Sequence, residues 1–342
     1  MSRWSYFARR LVLAIPVLLF SMSLTFIILR MGPLDPVSAI VGTNNDPGYR
    51  RAVARSIGII DAQGNPIPLW RQYVAFMTDL LTFDLGQAWV VNRGSDVTEL
   101  IATRAPRTIW LGFWSVLVAL LVGIPLGFYA GLRPNTLSDY SASFGGIVWR
   151  AMPNFWLAII ISSFLVASNQ LTGGAFNWST WIVDTKVITA PPLEDLTDPE
   201  NLAVAIKQIL PPALVLGSSS MGNEMRVGRT AVLETVNSNY VETARAKGVP
   251  ERIIVWKHIF RNALIPLVPI ITAEAFILIG GSVIVEEIFA INGLGKLFID
   301  AAFQGDLPLA GSLIYVFVLL TLIINILQDF LYTLIDPRIG YD

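Results

Sequence analysis

Few side chains in this sequence are suited to covalent chemistry. There is no cysteine and a single histidine, His258, so a thiolate nucleophile, a disulfide, a cysteine metal site and a histidine cluster are all absent, and no cofactor or metal is expected on the chain. Gly293, Gly295 and Lys296 look superficially like a phosphate loop, but Ala290 replaces its first glycine and Leu297 the hydroxyl residue that would hold magnesium. The chain is therefore not expected to bind ATP, and these glycines read as an external turn with Lys296 in water. What remains is the chemistry of charge. Glu274 falls about two helical turns beyond Pro266, inside an apolar run. A carboxylate exposed to lipid costs a few kcal/mol, so Glu274 is either a pathway residue facing a cavity, where a passing ammonium group would meet it, or a hydrogen-bonded carboxyl at a helix interface. The residue alone leaves both open.

The densest mixture of charged and apolar residues is Tyr240–Pro266, YVETARAKGVPERIIVWKHIFRNALIP, set between two long apolar segments. Val232–Lys247 has neither proline nor glycine and reads as a helix. Gly248, Val249 and Pro250 end it: glycine tolerates the left-handed conformation that closes a helix, and Pro250 fits the first turn of the next, whose positive end Glu251 favours. In that second helix Ile253, Trp256 and Phe260 recur at steps of three and four and predict one apolar face, with Lys257 and Arg261 on another. Ala244 and Gly248, four apart, predict a small-residue face that permits close approach, and Glu242 and Arg245 are available for polar contacts. Two uses fit this hairpin on physical grounds: a stiff lever that receives movement from a soluble motor, or an amphipathic loop lying on anionic lipid.

The surrounding elements are those of a membrane protein. Of 342 residues, 54% are hydrophobic and 14% charged, with a mean hydropathy of +0.60. Net charge is −1, which gives no argument for nucleic acid. Leu11–Leu29 is an uncharged run after Arg3, Arg9 and Arg10, longer than the apolar core of about 7–15 residues in a cleaved signal peptide. At about 1.5 Å per residue it crosses the hydrocarbon layer. Further runs at Ile109–Leu132, Ile147–Ala167, Leu202–Ser220, Leu264–Phe289 and Leu309–Leu334 predict about six transmembrane helices. The basic N-terminus and the basic residues Arg226, Arg229, Arg245, Lys247, Arg252, Lys257 and Arg261 of the loop Met221–Asn262 place both termini, Arg133–Phe144 and the hairpin in the cytoplasm. Asp184, Glu194, Asp195, Asp198 and Glu200 against Lys186 place the segment after the third span outside.

The expected organisation is an N-terminal tail and first span over residues 1–30, an external loop over 31–107, and a five-helix core over 108–342 with the cytoplasmic coupling loop at 221–262. Within the external loop, Tyr73, Phe76, Met77 and Leu80 predict an amphipathic helix over Trp70–Leu81. The loop reads either as a small ordered cap or as a plain connection carrying one surface helix.

Several motifs are similar to those of the inner-membrane permease subunits of dipeptide, oligopeptide and nickel importers driven by ATP-binding cassettes. They are TARAKG at Thr243–Gly248, HIFRNALIP at His258–Pro266, GGSVIVEEIF at Gly280–Phe289, GLGKL at Gly293–Leu297 and LIDPRI at Leu334–Ile339. Weaker matches are GPLDPV at Gly32–Val37, PLWRQY at Pro68–Tyr73, FDLG at Phe83–Gly86 and MPNFWLA at Met152–Ala158. Thr243 stands where the general pattern has alanine, and an insertion at Asp61–Ile67 puts contacts of the external loop in doubt. The resemblance implies an all-α type I importer permease fold. It implies coupling through Glu242, Thr243, Ala244, Arg245, Lys247 and Gly248, with no catalysis on this chain. The implied partners are a second homologous permease subunit, two cytoplasmic ATP-binding subunits and an external solute-binding protein, and the implied location of this chain is the cell membrane. Peptides are the first expectation for the substrate, with nickel chelates and sugars as alternatives. A proton-driven transporter using Glu274, or a membrane anchor whose hairpin recruits an enzyme, would not require the hairpin motif.

Overall fold

The computed structural model describes residues 3–32, 35–43, 46–184, 196–274 and 282–335, and among them the apolar runs fold as helices without a strand. In chain order these are α1 (Arg3–Met31), α2 (Pro36–Val41), α3 (Pro47–Ser56), α4 (Leu69–Leu81) and α5 (Val97–Val118), which winds through a π turn at Ala119–Gly123 into α6 (Ile124–Leu132). Then follow α7 (Leu137–Ala151), α8 (Asn154–Val166), α9 (Ser168–Leu171), α10 (Pro199–Val236), α11 (Asn239–Ala246), α12 (Glu251–Ile253) and α13 (Arg261–Ala263). The remainder are α14 (Val268–Ala273), α15 (Ser282–Ile288), α16 (Leu294–Gln304) and α17 (Leu307–Ile335).

Among the described residues, four stretches are long and apolar enough to cross a membrane: Arg9–Met31, Val97–Leu132, Pro199–Val236 and Leu307–Phe330. The expected third span is not one rod. α7 and α8 meet at 96°, because Met152 is extended (ψ 123°) ahead of Pro153, whose ring disfavours helical backbone in the residue before it. The bent pair brings the count to five if it serves as a single span. The expected fifth span, Leu264–Phe289, opens on a 3₁₀ turn and α14 and ends in α15, with residues 275–281 outside the described set. Lys186, Glu194 and Asp195 of the acidic segment, and the tail beyond Ile335, also lie outside it. Arg133–Phe144, expected as a loop, is already helical from Leu137.

Contacts divide the chain into two compact units, Arg107–Asn292 with Ile324–Asp342, and Ser2–Pro106 with Gly293–Ile323. In the first, α10 is the central element, packed by α5, the π turn and α6, and by α7, α8 and α15. Its core gathers Leu111, Leu157, Ile209, Leu216 and Phe289. Glycines set the spacing: a Cβ on Gly217 would drive into Ser115 O, and one on Gly127 into Met225 O. Pro211 and Pro212 lie buried inside α10 without interrupting it. Lys207, in the same apolar stretch, is 1% exposed. Its Nζ donates to Ser179 O at 2.9 Å and Val183 O at 2.8 Å and stands 5.6 Å from the Trp178 ring centroid.

In the second unit α1 buries Met22 and Phe26 and leaves Leu11, Val12, Phe20 and Ile28 exposed, an apolar face suited to lipid. The helix expected over Trp70–Leu81 is α4: Leu80 is buried, Phe76 and Met77 pack beside Met22 and Tyr315, and Tyr73 shares a 2.7 Å hydroxyl contact with Ser23. The expected insertion is a closed loop. Asp61 Oδ1 accepts the amides of Gln63 and Asn65, and Ile67 N returns to Ile59 O at 2.8 Å, so the loop's two ends are bonded together. Hydrogen bonds led by the Asn65 amide hold the Asp61 carboxyl below its ordinary range.

Asp306, wholly buried, caps the start of α17 and accepts Val90 N at 2.8 Å and Val91 N at 2.9 Å through Oδ2. Replacing it with alanine leaves both amides without their acceptor, so Asp306→Ala should lower stability by about 2 kcal/mol or more. A thermal melt of the detergent-solubilised chain, with an exposed Gln63→Ala control that moves far less, checks this.

Candidate functional site

The hairpin is built outward from α10. Val232–Lys247, expected as one helix, is two: α10 ends at Val236 and α11 begins at Asn239. Asn237 and Ser238 break it by turning their side chains onto the backbone, Asn237 Nδ2 to Leu233 O at 2.9 Å and Ser238 Oγ to Thr235 O at 2.6 Å. α11 closes as expected at Gly248, whose φ of +72° is left-handed. Gly248 N bonds Arg245 O at 2.9 Å and Val249 N bonds Ala244 O at 3.1 Å, the paired bonds of a Schellman cap. Pro250 then opens α12, and Arg245 Nη2 pairs with Glu251 Oε1 at 3.1 Å across the turn, rather than with Glu242.

The second arm differs from its expected periodicity. Ile254–Phe260 winds as a π-helix, so the buried positions are Ile254 and Ile259, five apart, continued by Ala263. Ile253 is 44% exposed and Trp256 59% exposed. Trp256 instead stacks on Phe128 at 6.4 Å, and Phe260 meets the same ring edge-on at 5.1 Å. Val241, Ala244, Ile254, Ile259 and Ala263 form one cluster with Ala231 and Val232 of α10. The residues expected to couple are thereby split. Ala244 is 7% exposed and packs inward, whereas Glu242, Thr243, Arg245, Lys247 and Gly248 face outward. A Cβ on Gly248 would meet nothing within 4 Å, so Ala244 and Gly248 do not form one close-packed face. The small residue serves the chain's own core, and the glycine serves the turn.

Above the hairpin, α10 is tied to α7 by a bidentate ion pair. Arg229 Nε and Nη2 donate to the two carboxylate oxygens of Asp139, the second at 2.7 Å, and Asp139 is 1% exposed. Further along, Glu224 is wholly buried and Glu274 is 6% exposed. Their carboxyls are neighbours, and neither Glu224 oxygen, nor Glu274 Oε2, has a hydrogen-bonding partner of the ordinary donor kind among the described residues. Gly123 makes room for this pair, since a Cβ there would lie 2.9 Å from Glu224 Oε2.

Residues 123–341 match the family described as the binding-protein-dependent transport system inner membrane component. The chain is 33% identical over 341 residues to the oligopeptide transport system permease protein AppB of Bacillus subtilis, covering 98% of this chain and 99% of that one. It is 30% identical to the dipeptide transport system permease protein DppB of Alkalihalophilus pseudofirmus and 29% identical to DppB of Escherichia coli K12, each over 98% of this chain and at least 98% of the relative. This chain belongs to that family of importer permeases. The permease shares its fold with the inward-facing MetNI methionine ABC transporter, at a TM-score of 0.51 and 18% identity over 69% of this chain and 96% of that one.

Burial separates neighbouring residues elsewhere in the permease. Glu286 is wholly buried and accepts Thr108 Oγ1 at 2.8 Å, while Glu287 beside it is exposed. Gly293 precedes α16 and Gly295 is buried inside it, so only the first belongs to a turn. Sequence reasoning missed Lys207, Glu224 and the Asp139 partner of Arg229. The available signal was a charged residue on the apolar helix α10, which the apolar runs around it obscured.

Two substitutions separate the permease's inward and outward roles. Ala244→Leu overfills the cluster beneath α11 and should cost about 1–3 kcal/mol, read as a fall in thermal midpoint. Gly248→Ala has open space but a left-handed backbone, and should cost about 1 kcal/mol. For the carboxyl pair, Glu224→Gln and Glu274→Gln should each alter transport kinetics while leaving membrane insertion intact. Unchanged uptake in both would make the pair purely structural.

Proposed function

We propose that this permease forms half of the translocation path of an importer for di- and oligopeptides, and that α11 with its turn is the surface on which a cytoplasmic ATP-binding subunit docks. The reading rests above all on the hairpin's division into a buried seam and a charged outer face. An element gripped by Val241, Ala244, Ile254 and Ile259 cannot move without moving the end of α10. Its exposed Glu242, Thr243, Arg245 and Lys247 are left for a protein partner. The names of the full-length relatives supply the peptide assignment.

In this reading a second, homologous permease subunit completes the pore, two ATP-binding subunits drive it and a solute-binding protein delivers the peptide. ATP is hydrolysed on the partner chains, and no cofactor is used by this one. Both termini and the hairpin face the cytoplasm, and the 31–107 loop faces outward, as the basic loops favour. ATP-driven closure of the partners pushes on α11, and the continuous α10 carries the displacement past Arg229 and Glu224 into the spans.

Uptake of labelled di- and oligopeptides, beside nickel and a sugar panel, in cells with and without the chain tests this. Loss of peptide uptake alone, restored by the wild type and largely by Gly248→Ala but not by Gly248→Trp, is the expected result. Both variants carry the same backbone strain, and only tryptophan adds bulk to the outer face. Intact peptide uptake with loss of another solute would overturn the substrate, and normal uptake in Gly248→Trp would overturn the docking surface.

A further inference from the structure

The unit made of Ser2–Pro106 and Gly293–Ile323 contains a half-open cavity of about 430 Å³ that the hairpin account does not use. That volume lies within the range of small-molecule sites, about 300–1,000 Å³. Its walls are largely apolar, with Phe26, Phe76 and Trp89 contributing rings. Arg30, Asp79 and Asp84 are the charged residues of the lining.

Arg30 Nη1 is buried with no hydrogen-bond partner among the described residues. Burying a guanidinium N–H without an acceptor is costly, and such groups in folded proteins almost always have one. Neither acid supplies it, since no hydrogen bond from this nitrogen reaches Asp79 or Asp84. The acids instead reinforce one another: burial, and then the neighbouring charge of Asp84, lift the Asp79 carboxyl above its ordinary range. The cavity is thus lined by one positive group and by a pair of negative groups, all among apolar residues. A simple anion would meet the repulsion of Asp79 and Asp84, and a simple cation that of Arg30. A molecule carrying both charges satisfies both.

We propose that this cavity binds a zwitterion whose carboxylate or phosphate is held by Arg30, whose ammonium is held by Asp79 with Asp84, and whose apolar part rests on Phe26, Phe76 and Trp89. A free dipeptide has this chemistry, and so does the headgroup of phosphatidylethanolamine. Arg30 sits at the last turn of the span Arg9–Met31, within reach of either. The site is separate from the hairpin and its test reads binding rather than uptake, so it can fail while the transport reading stands.

The test uses the full chain in nanodiscs of phosphatidylglycerol, which lacks an ammonium group. One arm titrates labelled phenylalanyl-alanine with its N-acetyl and C-amide analogues. The other adds phosphatidylethanolamine and reads retained lipid by native mass spectrometry. Saturable binding in at least one arm is expected, reduced tenfold or more in Arg30→Gln and in Asp79→Asn and unchanged in Arg93→Gln. Arg93 is an exposed residue outside the cavity lining. In the peptide arm, blocking either terminus should abolish binding to the wild type, a result that depends on no variant's folding. The arm that responds identifies the source. Absence of saturable binding in both arms, or binding that survives both Arg30→Gln and Asp79→Asn, would overturn the proposal.

Discussion

The close approach of α10 to the α5–α6 stretch is the constraint on which the rest of this permease depends. Lipid is as apolar as leucine, so membrane helices gain little by hiding apolar side chains from it, and they associate through tight packing. Gly127 against Met225 O and Gly217 against Ser115 O bring backbone against side-chain-free backbone. This contact makes α10 a spine. It is 38 residues without interruption, about 57 Å at 1.5 Å per residue. Lys207, Glu224 and Arg229 all project from it, and the hairpin continues its end.

Under the proposed docking of an ATP-binding subunit, that arrangement would let a short surface element act over a distance. α11 is a helix of two turns, too short to be stable alone. It is held because Val241 and Ala244 sink into the cluster around Val232, and because the Schellman cap at Gly248 turns the chain back so that Ile254 and Ile259 grip the same place. The π winding of Ile254–Phe260 is what lets residues five apart share a face. Asp139 and Arg229 then lock α7 to the spine beside it, so a displacement entering at α11 reaches several helices together.

Much of this was legible in the residues. Apolar runs of span length stand out by composition alone, the turn at Gly248–Pro250 is written in local backbone preference, and Tyr73, Phe76, Met77 and Leu80 mark α4 by their spacing. The misses have a common cause in tertiary contact. Counting by three and four selects Ile253 and Trp256, because regular helical spacing carries no sign of a π turn. Ala244 and Gly248 look alike in size, yet one fills a core and the other relieves a backbone angle. Lys207 is hidden in an apolar window, and its acceptors, Ser179 O and Val183 O, belong to a different segment. Glu274 could be singled out as an intramembrane acid, but its pairing with Glu224, 50 positions earlier, required the fold. By contrast, the break at Asn237–Ser238 was in plain view, since both residues favour local backbone bonds over helix interiors.

The measurement that bears most directly on the lever is site-specific labelling, which a chain without cysteine makes clean. Thr243→Cys should react with a membrane-impermeant maleimide in inside-out vesicles of the permease, and lose that reactivity when the ATP-binding subunits are added. Ala244→Cys, one position along and buried, should react poorly in either case. Labelling of Thr243→Cys that is unaffected by the ATP-binding subunits would contradict the claim that the outer face of α11 is where they dock.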